Sequence, residues 1–151
     1  MSRIRISKSF HFEAAHALKG YEGACRHIHG HSYELIVTLL GVPDPDTNAS
    51  TNGMVMDFSE LKRIIGKNVV DPLDHALLLP ENYPEMIDTR SEAFSKMVVL
   101  PYQPTSENLL IDMAEKIKPL LPQKISLHSL KLRETGTCFA EWYASDNEES
   151  Y

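Results

Sequence analysis

The sequence predicts an α+β domain, a four-stranded antiparallel sheet carrying two helices on one face. Three observations lead there. Two long alternating segments open the chain, two helical stripes occupy its middle, and two shorter alternating segments close it. Residues 3 to 16 place Ile4, Ile6, Phe10 and Phe12 on one side of a strand. A loop with Gly20 and Gly23 follows, and from His29 to Leu40 a second strand carries Tyr33, Leu35, Val37 and Leu39 on one face. Residues 41 to 53 are dense in turn formers, among them Pro43, Asp44, Pro45, Asn52 and Gly53.

Asp57, with Glu60 three residues on, resembles a capping box, and Leu61, Ile64 and Ile65 supply helical spacing, so residues 58 to 69 read as a helix. Residues 72 to 104 read as irregular, with five prolines from Pro72 to Pro104. The second helix starts after Thr105. Leu110, Met113, Ala114 and Ile117 form its apolar stripe, and Pro119 and Pro122 end it. Residues 124 to 134 and 137 to 144 read as two strands joined as a hairpin across Gly136. Both sheet edges would stay open in a monomer, which favours edge-to-edge assembly.

At 151 residues and 42% hydrophobic content, the chain suits one globular domain, placed at 1–144, with an acidic tail at 145–151 expected to be disordered. The net charge of −6 argues against general nucleic-acid or membrane-surface binding, since both need a positive field. No apolar run is long enough to span a bilayer. The first residues alternate like a strand and lack the apolar core of a signal peptide, so a cytoplasmic location is expected, with Cys25 and Cys138 as reduced thiols.

Four of the seven histidines fall between positions 16 and 31. His29 and His31 are separated by one residue on a predicted strand, so their side chains share a face, with Gly30 allowing close approach. His16, at the end of the neighbouring strand, is the best third ligand for a zinc ion with one open position. His11 sits at the wrong parity. His27 lies on the loop, facing solvent or a phosphate. Cys25, four residues before His29, would lie beside the metal, where a thiolate can act as base or nucleophile. Cys138 reads as a small buried hydrophobe.

Asp74-His75 could shuttle protons with Cys25, although the dipeptide alone usually marks a turn. Glu134 could accept two parallel N–H bonds from a pterin or guanine edge, although taken alone it reads as an ordinary exposed strand residue. Thr105-Ser106-Glu107 reads as a helix start with Thr105 as cap. Lys19, Arg26 and Lys62 are candidates for phosphate contacts, and each reads also as a solvated charge.

Together these residues resemble the 6-pyruvoyl-tetrahydropterin synthase / 6-carboxytetrahydropterin synthase family. The resemblance runs through Phe12-Glu13-Ala14-Ala15-His16, Cys25-x-x-x-His29-Gly30-His31 and Gly53-Met54-Val55-Met56-Asp57-Phe58. It continues through Leu73-Asp74-His75, Pro104-Thr105-Ser106-Glu107-Asn108 and Glu134-Thr135. It implies the tunnelling fold (T-fold), in which trimers close a twelve-stranded barrel and two trimers stack as a hexamer, with active sites between subunits.

It further implies zinc on His16, His29 and His31, and a proton-transfer group of Cys25, Asp74 and His75. Glu134 would anchor the pterin, while Thr105, Ser106 and Glu107 would reach a neighbour's site. The implied substrate is 7,8-dihydroneopterin triphosphate. The Cys-x3-His-Gly-His spacing resembles the carboxy-forming, queuosine-pathway branch; the pyruvoyl-forming branch typically has two more residues there. The alternatives are a pyruvoyl-forming synthase and, outside enzymes, a non-catalytic pterin- or purine-binding module. Two features depart from compact members: the long 76–104 connection and the extra His27.

Overall fold

A computed structural model describes residues 1–83, 87 and 90–147. The two opening strands form as their alternation requires: β1 (Ile4–His16) and β2 (His29–Gly41) pair antiparallel over their whole length, from Ile4 opposite Gly41 to His16 opposite His29. Phe10, Phe12, Ala14 and His16 of β1 point to one buried face, and Tyr33, Leu35, Val37 and Leu39 of β2 join them. His11 is on the opposite, exposed face.

The connection to the first helix is held by its own side chains. Asp44 accepts bonds from the Asp46 N–H at 3.0 Å and the Thr51 hydroxyl at 2.7 Å. Gly53 supplies the left-handed turn, at φ 79°. Helix α1 (Phe58–Ile65) begins where expected, with the Asp57 carboxylate accepting from the Ser59 N–H at 2.7 Å. Beyond Ile65 the helix widens into a π-type segment, Gly66–Val70, and ends in a short helical turn, α2 (Asp71–Leu73). Helix α3 (Ser106–Ile117) buries Leu109, Leu110, Met113, Ala114 and Ile117 against the same sheet face as α1, in one core.

Among the described residues the sheet has six strands rather than four, and it is mixed rather than antiparallel. The region read as irregular contains β3 (Ala76–Pro80) and β4 (Met97–Leu100). β3 runs parallel to β1 over Ala14–His16, and β4 runs parallel to β3. Every residue of β3 is buried, so Ala-Leu-Leu-Leu-Pro carries no alternation to mark a strand. The closing hairpin, β5 (Ile125–Arg133) and β6 (Phe139–Tyr143), adds to β2, giving the order β4-β3-β1-β2-β5-β6.

Cys138 is exposed, correcting its reading as a core residue. It sits in the turn before β6, where hydrogen bonds from the Thr135 and Thr137 hydroxyls hold its thiol below the ordinary range. The chain from Ala144 to Asn147 makes one further helical turn, α4, while 148–151, the rest of the expected disordered tail, lie outside the described residues. Among the described residues, no helix is long and apolar enough to cross a membrane.

Candidate metal centre

The paired ends of β1 and β2 bring three histidines together. Because His16 lies directly opposite His29 and shares a face with His31, all three imidazoles enter the end of the core. The His16 and His29 Nε2 atoms are 3.0 Å apart, and the His16 and His31 Nε2 atoms 3.2 Å apart. Glu134, just past β5, places Oε1 3.0 Å from the His31 Nε2. One ligand atom from each of His16, His29, His31 and Glu134 lies within 4.8 Å of every other.

Backbone carbonyls decide what these nitrogens can do. His16 Nδ1 is 2.7 Å from the Pro104 carbonyl, and His29 Nδ1 is 2.7 Å from the His27 carbonyl. A carbonyl only accepts, so both Nδ1 atoms carry the proton and both Nε2 atoms present a lone pair. Two lone pairs facing at 3.0 Å repel unless a cation or proton lies between them. Burial holds His16 below the ordinary imidazole range, against the opposing Pro104 bond and Glu134 charge. Burial depresses His31 too, with Glu134 opposing. Neutral, tautomer-fixed imidazoles are what a metal requires. A tetrahedral zinc ion with Zn–N bonds near 2.05 Å separates its nitrogens by about 3.3 Å, close to the spacings found here.

The surroundings explain how the cluster is held. Tyr33, stacked on Phe12 at 4.9 Å, sets its hydroxyl 3.4 Å from His16 Nδ1. Burial, then the charges of Glu134 and Cys25, push its phenol well above the ordinary range, so it stays protonated. Ser106, at the start of α3, donates to Glu134 Oε2 and orients the carboxylate. Tyr33, Pro104 and the His27 carbonyl did not figure in the sequence reading of the site. For Tyr33 the signal was there, since it shares parity with His29 and His31. Gly30 is not needed for close approach: a Cβ there would meet the Ala14 carbonyl at 3.6 Å, an ordinary contact.

The remaining predicted residues fall into three places. Cys25 is half-buried on the turn Ala24–Arg26, with its carbonyl accepting from Leu18 N–H at 3.0 Å. Thr105 caps α3, accepting from Asn108 N–H at 3.3 Å, and Glu107 is exposed beside Trp142 and Tyr143 of β6. Asp74 and His75 form a dyad, Oδ2 to Nδ1 at 3.0 Å, docked on the edge of β1. Glu13 N–H donates to Asp74 Oδ1 at 2.9 Å, and His75 N–H donates to the Glu13 carbonyl at 2.6 Å. The bond from Glu13 holds the Asp74 carboxyl below its usual range. His75 adopts φ 58°, a left-handed conformation costing on the order of 1 kcal/mol. It opens, with Lys96, onto a cleft of about 380 Å³ that also takes in Glu13, Ala15, His31 and Ser32. No hydrogen bond or ion pair among the described residues joins the dyad to the histidine cluster.

The sequence model of 6-pyruvoyl tetrahydropterin synthase matches residues 5–145. The chain belongs to the 6-pyruvoyl tetrahydropterin synthase family. Curated relatives include 6-carboxy-5,6,7,8-tetrahydropterin synthases. That of Haemophilus influenzae is 34% identical over 142 residues, covering 92% of this chain and 98% of the relative. That of Aquifex aeolicus is 32% identical, covering 91% and 96%. The solved 6-pyruvoyl tetrahydropterin synthase of Caenorhabditis elegans superposes with a TM-score of 0.68 at 26% identity, over 95% of this chain and 97% of that one. The chain is accordingly an enzyme, of lyase type, with the fold of this family.

Proposed function

We propose that the chain is a zinc-dependent synthase converting 7,8-dihydroneopterin triphosphate to 6-carboxy-5,6,7,8-tetrahydropterin, acetaldehyde and triphosphate. Cytoplasmic queuosine synthesis is its setting. The observation that carries this is the convergence of three imidazole Nε2 atoms, two with their tautomer set by a carbonyl. The names of the relatives and the three residues between Cys25 and His29 support the carboxy-forming product.

His16, His29 and His31 would hold the ion, and three ligands would leave a position for substrate, as catalytic rather than structural zinc requires. When bound, the ion supplies Lewis acidity that lowers the cost of removing a proton from a substrate hydroxyl. Glu134, oriented by Ser106, accepts paired N–H bonds from the pterin edge. Cys25 takes and returns the proton on the side of the metal. Asp74 accepts from His75 Nδ1–H, which leaves the His75 Nε2 lone pair free to exchange protons at the open face of the cleft. Thr105 sets the start of α3 and therefore Ser106, whereas Glu107 faces away toward β6, where a neighbouring subunit of a hexamer would meet it.

The test is mass spectrometry of the products after zinc-loaded protein meets 7,8-dihydroneopterin triphosphate. The expected products are 6-carboxytetrahydropterin and acetaldehyde. A pyruvoyl product without acetaldehyde would move the chain to the pyruvoyl-forming branch. Binding without turnover would make it a pterin-binding module.

A further inference from the structure

Apart from the cluster of His16, His29 and His31, a second concave site opens between β1 and α1. It is a cavity of about 660 Å³ lined by Lys8, Phe10 and His11 of β1 and by Lys62, Arg63 and Lys67 of the helical segment, among others. Four of the chain's 15 lysines and arginines gather here, although the chain carries a net charge of −6. Among the described residues Asp71 is the one carboxylate in the lining, against 21 in the chain. Among the described residues, none of the four cations has an ion pair or a side-chain hydrogen bond; Lys8 only overlies the Phe10 ring, at 6.0 Å.

Lys62 and Arg63 sit in the last turn of α1, where they oppose the helix dipole. That role does not account for Lys67, which follows the helix, or Lys8, which faces it from the sheet. The backbone is also unusual at this point. The π-type segment Gly66–Val70 lies along the cavity, with Gly66, Lys67 and Val70 in its wall, and such widened turns recur at functional sites. Buried Phe10 and Val70 make an apolar floor beneath the basic rim.

We propose that this cavity is a second binding site, separate from the metal centre, for a ligand carrying two or three linked phosphates. A phosphate chain places several negative charges within reach of all four cations, which approach it from both walls. Lys8 lies eight positions before His16 on the same strand, about 26 Å along it.

The probe is inorganic triphosphate, titrated calorimetrically into the zinc-loaded full chain. Lys62→Gln/Lys67→Gln, at two exposed positions, is expected to weaken binding about tenfold or more without lowering the unfolding temperature. Binding that the double variant leaves unchanged would overturn the proposal. His29→Ala, which removes a candidate metal ligand, is expected to bind triphosphate as the wild type does; loss of binding there would put the anion at the metal centre and overturn it equally. ATP in place of triphosphate separates two sources of the phosphate chain. Tighter binding assigns a nucleotide seated on Phe10, and equal or weaker binding assigns free polyphosphate.

Discussion

The His16 imidazole is pinned at Nδ1 by the Pro104 carbonyl, and that one bond decides which nitrogen faces the cluster. The histidines themselves are legible in the sequence, because an i, i+2 pair on a strand can share only one face. Glu134 is not legible as part of the cluster, because its approach to His31 depends on β5 pairing with β2 in the observed register. Cys25 tests the chemical reading: Cys25→Ala should keep its metal and lose about 100-fold or more in turnover, and unchanged turnover would remove the thiol from the mechanism. Asp74 supplies a pH signature. Its carboxyl is held below the usual range by the Glu13 N–H, so its contribution to stability is present above the unfolded value of about 3.9. That contribution fades as pH falls through the lower folded value. The stability difference between wild type and Asp74→Asn should therefore be flat above about pH 4 and shrink on further acidification, as denaturant titrations at several pH values would measure.

Among the elements, β1, β2, α1, α3, β5 and β6 are legible because each has one wet face and one dry face. β3 has no wet face and β4 is only four residues long, so neither shows an alternation, and the prolines around them suggest a loop. The missed strands matter to the site. Lys96, immediately before β4, donates from its ammonium to the carbonyls of Asp71 and Asp74, at 2.7 Å for Asp71. The long 76–104 connection thus returns a cation to the carbonyl end of α2 and holds the turn that presents His75. Lys96→Met should lower turnover about tenfold with metal content unchanged, and Lys96→Arg should recover part of it. Turnover equal to wild type in Lys96→Met would show that the turn holds without the staple.

At the scale of the whole molecule, the main core runs from Trp142 of β6 through β2 and β1 to Leu100 of β4, and a smaller cluster of Ala17, Leu77 and Leu79 lies beside it. Among the described residues the sheet is open at β6 and β4, and β3 pairs with β1 only from Ala14 to His16. Exposed Phe139, Val99 and Ile4 lie on these strands, the kind of edge that natural sheets pair or cover. Sedimentation equilibrium should therefore give an oligomer, a hexamer by the family resemblance, whereas a monomer at micromolar concentration would contradict assembly.

The most direct measurement is the metal content of the purified wild type and of His29→Ala by inductively coupled plasma mass spectrometry, with circular dichroism as the check on folding. One zinc per chain in the wild type and little in the folded variant is the predicted result. Full zinc retention in folded His29→Ala would contradict the assignment of His16, His29 and His31 as the metal ligands.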